Sequence, residues 1–99
     1  VIANRADYIA EVTALAARAI AMRADGIDEE TIARLLVAER NRLKSQFRSN
    51  DPAPIVALME ARNLAKYGDP VGPGPEWFFN RYGTWSAVIE AACRTADLS

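Results

Sequence analysis

The 99-residue sequence contains no histidine, which removes the commonest general acid–base group of enzymes and the commonest nitrogen ligand of transition metals. Zinc sites and Ser-His or Cys-His nucleophile pairs are thereby excluded. Its single cysteine, Cys93, has no partner for an internal disulfide and lies in an apolar helical pattern, where a free thiol usually packs as a small hydrophobe. No apolar run approaches the roughly 20 residues that span a bilayer. The N-terminal VIANRADYIAEV also lacks the apolar stretch of a signal peptide, so no membrane partner is expected. The formal net charge is only -1; any grip on nucleic acid would have to come from cations gathered on one face. Glycine and proline are scarce as well, five of each, and three of each fall between positions 68 and 75. Outside that stretch little interrupts a helix.

What is present suits one small core. About half of the chain (51%) is apolar, enough for residues 1–99 to fold as a single domain without a metal or disulfide staple. Tyr8, Ile9, Val12, Leu15, Ala16, Ala19 and Ile20 recur at helical spacing and predict a first helix from about Arg5 to Arg23, closed by Asp25-Gly26. Asp28 predicts the cap of a second helix running to about Phe47, with Ile27 and Ile32 as a hydrophobic staple. After SNDP, Asp51 and Pro52 predict the start of a third helix, ending at Tyr67 before Gly68. A short helix over about 75–82 and a last one capped by Thr84 complete the expectation: an all-α, compact bundle of three long and two short helices. Trp77 and Trp85, flanking the Gly83 turn, are expected to bury the C-terminal hairpin against the second and third helices.

Two charges fall inside the predicted apolar stripes. Glu39 shares the face of Ile32, Leu35, Leu36, Leu43 and Phe47, and Arg62 shares that of Ile55, Leu58, Met59 and Ala65. Neither can be buried alone without a cost of several kcal/mol, so a Glu39–Arg62 contact between the two helices is expected. On the plain reading that pair only fixes the register of two helices. On the functional reading it floors a polar pocket whose neighbours are Arg40, Asn41 and Lys44 and then Asn63, Lys66, Tyr67 and Asp69, with the prolines stiffening the rim. Arginine and lysine can neutralise a phosphodiester and its transition state, a carboxylate or phenol can take a proton, and an amide can orient the substrate. Ribonuclease chemistry needs little more, because the RNA 2′-hydroxyl is itself the nucleophile. The run Arg40, Arg42, Lys44, Arg48 reads by default as a solvent face.

The segments ERN-x-L (from Glu39), RN-x-x-KYGDP-x-GP (62–73), the aromatic at Trp77 and GTW-x-x-VIEAACR (83–94) resemble the small C-terminal effector domains of bacterial polymorphic toxins, the Rhs and contact-dependent inhibition type. The resemblance runs from about Glu39 to Arg94. It implies a domain at the end of a larger secreted protein, in keeping with a start at Val1 rather than Met, that acts in the cytoplasm of a neighbouring bacterium and is blocked in its producer by a cognate immunity protein. It further implies attack on nucleic acid, several such domains being taken as ribonucleases of tRNA. The positions it singles out are Arg40, Asn41, Arg62, Asn63, Lys66, Tyr67, Gly68, Asp69, Thr84 and Arg94. Val71 and Gly74 stand where the pattern has Leu and Thr.

These expectations converge on a metal-independent ribonuclease without cofactor. Glu39, Arg40, Arg62, Asn63, Lys66, Tyr67 and Asp69 are its catalytic candidates, and Asn41, Lys44, Thr84 and Arg94 its substrate-binding ones. Mg²⁺ held by Glu39, Asp69 and Glu90 is a weaker route, since no tight carboxylate cluster occurs. Two non-enzymatic alternatives remain. EWFFNRYGTWSAVIEAACR has the helix–turn–helix shape of a DNA reader, although Glu90 on its exposed face carries the wrong sign for phosphate. An immunity or adaptor protein would instead use the acidic N-terminal half as its contact surface.

Overall fold

The computed structural model describes residues 2–96 and 98, which form five helices and no strand. They are α1 (Arg5–Ala24), α2 (Glu29–Arg48), α3 (Ala53–Tyr67), α4 (Pro75–Tyr82) and α5 (Trp85–Ala92). The all-helical class and the three long and two short elements are as expected.

Helix ends follow local chemistry. The Asn4, Asp28 and Thr84 side chains each accept a bond from the backbone N–H three residues on, capping α1, α2 and α5. Between α1 and α2, Gly26 at φ +80° lets its own N–H reach the Arg23 carbonyl while Ile27 N–H reaches Met22 at 3.1 Å. This is the pair of bonds that closes a helix with a left-handed residue. Gly68, at φ +75°, ends α3 in the simpler way, with one bond to the Leu64 carbonyl. Asp51 departs from expectation: Pro52 occupies the cap position, and no side chain caps α3.

The core lies between three helices. Tyr8, Val12, Leu15 and Ala19 of α1 and Val88, Ile89 and Ala92 of α5 close on α2 through Ile32, Ala33, Leu36, Val37 and Leu43. The inward face of α2 is therefore centred near Ala33, Leu36, Val37 and Arg40, rotated by about 60° from the stripe drawn through Leu35, at 100° per residue. Leu35 is half exposed. The rotation moves Glu39 to the flank and puts Arg40 in the middle of the buried face, where it is 8% exposed.

α3 departs more sharply. It buries none of its residues, and Ile55, Leu58 and Leu64 are 50%, 54% and 55% exposed. Its sheltered side carries Val56, Met59, Glu60, Asn63 and Tyr67, not the Ile55, Leu58, Met59, Ala65 stripe, and Arg62 faces solvent. The expected Glu39–Arg62 contact does not form. Glu39 pairs with Arg42 on its own helix, where Arg42 Nε donates at 2.9 Å, and with Arg18 of α1 at 3.8 Å. A carboxylate on the α1 side of α2 finds a nearer cation there than any on α3.

The tryptophans do anchor the C-terminal hairpin. Trp85 stacks on Phe79 at 4.3 Å beneath the Arg34 guanidinium of α2, 4.9 Å from its ring, and Trp77 stands edge-on to Tyr67 of α3 at 5.0 Å. α5 is turned inward along Val88, Ile89, Ala91 and Ala92. It lies on α2 rather than standing free as a groove-reading helix would.

Candidate functional site

Where the second half of α2 meets the 68–75 loop, Arg40, Lys44 and Arg48 recur every four residues and so line one face of the helix. They form one wall of a cavity of about 230 Å³. Asn63 and Tyr67 of α3, Val71, Gly72 and Pro73 of the loop, Phe78 and Tyr82 of α4, Ala91 of α5 and Arg94 complete it. Four of the twelve lining residues are cations, and none of the described lining residues is acidic.

A polar lattice builds this chamber. Arg40 Nη1 donates to the carbonyls of Ala91, Ala92 and Arg94 at 3.1, 2.7 and 2.8 Å. It answers the orphan carbonyls at the C-terminus of α5 with a buried positive charge, the sign that end of a helix favours. The loop is tied down from three sides. Arg48 donates to the Pro70 and Val71 carbonyls (3.1 and 2.9 Å), Asn63 Nδ2 to the same two (3.2 and 3.3 Å), and Asn41 Nδ2 to Pro73 (3.1 Å). The Asp69 carboxylate accepts from Val71 and Gly72 N–H (2.8 and 3.4 Å), folding the loop on itself. Gly72 lies close against α2: a Cβ there would stand 3.3 Å from Lys44 Nζ and 3.5 Å from Asn41 Oδ1.

Of the residues expected from sequence, Arg40, Lys44, Asn63, Tyr67 and Arg94 come together around the cavity. Asn41 and Asp69 support it through the loop without lining it. Thr84 is spent on the cap of α5, where its hydroxyl accepts from Ala87 N–H at 3.1 Å. Lys66 does not line the cavity; its ammonium lies over the Tyr67 ring, at 5.2 Å. Glu39 is turned to α1, and Arg42 holds its carboxyl below the usual carboxylate range, with Arg18 assisting against partial burial. Arg62 is exposed on α3. No group of three or more acidic or cysteine side chains able to hold a metal occurs among the described residues, so Glu39, Asp69 and Glu90 do not converge.

Three contributors escaped the sequence reading. Arg48 belongs to a run that by default reads as a solvent face; its four-residue spacing from Lys44 and Arg40 is the signal that places it on the same wall. Phe78 and Tyr82 are likewise four apart, on α4, but nothing local marks which side of a short helix faces a cavity.

Chemically, the cavity suits an anion with more than one charge. Lys44, Arg48 and Arg94 line the same cavity, and because neutral carbonyl partners leave the charge of Arg40 and Arg48 formally intact, the wall stays positive. The phenols of Tyr67 and Tyr82 are hydroxyl groups on the lining able to give and receive a proton. Comparison with models of protein families, with curated proteins and with solved structures finds no match to this chain.

Proposed function

We propose that the cavity binds the phosphodiester of RNA and that the domain is a ribonuclease, an antibacterial effector of the kind its sequence resembles, restrained by a cognate immunity protein, with tRNA as the substrate class. The observation that carries the reading is the convergence of Arg40, Lys44, Arg48 and Arg94 on one small cavity whose described lining has no carboxylate. Such a wall attracts phosphate and repels a divalent cation. The attacking group is then the substrate's own 2′-hydroxyl. Its oxygen bonds to phosphorus, the bond to the 5′-oxygen breaks, and the proton passes through the Tyr67 hydroxyl to the departing oxygen. Lys44, Arg48 and Arg94 stabilise the charge that builds on the phosphorane. Arg40 stands behind them as a positioning residue, and Asn41, Asn63 and Asp69 hold the loop that closes the wall.

The test is incubation of the purified chain with total RNA and with tRNA in EDTA, followed by end-group analysis. Cutting should persist under chelation, leave a 2′,3′-cyclic phosphate and spare DNA. Lys44→Ala should lower the rate by about 10²-fold, as removal of one donor to a developing oxyanion does elsewhere. A 3′-hydroxyl product, or loss of all cutting on chelation, would move the reaction to a metal-dependent route.

A further inference from the structure

The part of the cavity lining that α4 contributes is aromatic. Phe78 and Tyr82, one turn apart on α4, hold their rings nearly parallel (13°) with centroids 6.1 Å apart, and both line the cavity. Tyr82 remains 38% exposed. Trp77 meets Phe78 edge-on at 5.4 Å, and the Arg81 guanidinium lies 5.8 Å from the Trp77 ring and 6.0 Å from that of Tyr82. α4 buries none of its eight residues; Phe78 packs against the core, and the row runs outward from it to Tyr82. Cations and a partly exposed aromatic ring lining one cavity are the pairing that binds a nucleotide by its phosphate and by the face of its base.

Resting on the ribonuclease reading, we infer that the cavity accepts an unpaired nucleotide, its phosphate against Lys44, Arg48 and Arg94 and its base stacked on Tyr82 at the end of the Phe78–Tyr82 row, so that the substrate is a single-stranded loop or end of RNA. Two arguments restrict the choice. A space of about 230 Å³ equals the liquid volume of about eight waters; it has room for a phosphate with its sugar but not for a duplex. In A-form RNA the bases are stacked inside the helix and their faces are unavailable, whereas splayed single strands offer them. The edge of the base finds little here to read, because Asn63 Nδ2 is already committed to the Pro70 and Val71 carbonyls. Preference among the four bases should therefore be weak.

Binding of a 2′-O-methyl oligonucleotide, which cannot be cut, separates the two ideas. Its single strand should bind at least about tenfold more tightly than the same strand paired to its complement, or than one made abasic at every position. Tyr82→Ala should lose about tenfold for the base-bearing strand yet leave competition by inorganic pyrophosphate unchanged, while Tyr82→Phe, which keeps the ring, should bind as wild type does. Lys44→Ala should weaken the strand and pyrophosphate alike. Equal affinity for abasic and base-bearing strands overturns the stacking inference and leaves the phosphate reading standing, and the substrate-side comparison does not depend on any variant folding. Failure of pyrophosphate and of every strand to bind overturns both.

Discussion

The two halves of this domain are held together by different forces. α1, α2 and α5 meet through aliphatic side chains: Val12, Ile32, Ala33, Leu36, Val88 and Ala92 are wholly removed from water. α3 and the loop after it are attached through hydrogen bonds from Asn41, Arg48 and Asn63 to loop carbonyls, while the apolar side of the helix stays in solvent. Burial is non-directional and tolerates sliding, whereas each of those bonds requires one geometry. The cation-lined cavity is built at the junction of the two, with the apolar half as foundation and the polar half as wall. Net hydrogen-bond energies of about 1 kcal/mol each make the second half the weaker.

The largest effect should come from the core. Leu36→Ala removes three heavy atoms from a fully buried site and should cost about 2–5 kcal/mol, a large part of the roughly 5–15 kcal/mol typical of a domain this size. Leu58→Ala, the same substitution at 54% exposure on α3, should stay within about 0.5 kcal/mol. Urea midpoints of the two variants, read with unchanged slopes, check the contrast; similar losses at both sites would show that α3 is packed in solution.

Arg40 joins the halves and should come next. Arg40→Ala strips the α5 carbonyls of their buried donor and should cost about 3 kcal/mol, the upper range for a hydrogen-bonded charge. Phosphate binding would fall with it, so thermal melting has to accompany any activity measurement on this variant. Lys44→Ala, at a cavity-lining position one turn further along α2, melted alongside it, tests whether binding separates from folding.

The same division explains which features the sequence disclosed. Helix ends were readable because Asp28, Thr84, Gly26 and Gly68 act within a few residues of themselves. Arg40, Lys44, Asn63 and Tyr67 are readable as chemistry because polar types crowd beside a glycine- and proline-rich loop, whereas Arg94 is marked only by the resemblance. The phase of the helices was not readable. On α2, the choice of Leu35 over the smaller Ala33 and Val37 turned the face by less than a quarter turn and exchanged Arg40 for Glu39 as the buried charge. On α3, alanine and leucine spread almost around the helix, leaving periodicity with no single direction to report. The Glu39–Arg62 pairing inherited both phase errors.

The smallest effect concerns the carboxylate that this pairing misplaced. Glu39 is held below the usual carboxylate range, first by its bond from Arg42 and also by the charges of Arg42 and Arg18, with partial burial opposing them. A pKa depressed on folding contributes stability that is present above the unfolded value and is lost as pH falls through the folded one. Glu39→Gln should therefore be slightly less stable than the parent at neutral pH, and the gap should narrow below the ordinary carboxylate pKa and close once both forms are neutral. Denaturation midpoints of the two proteins measured across the acid range check this. Because Arg18 reaches Glu39 across the α1–α2 interface at 3.8 Å, the gap should shrink again in high salt. A gap that persisted at low pH would mean that Glu39 contributes through packing of its methylenes and not through its charge.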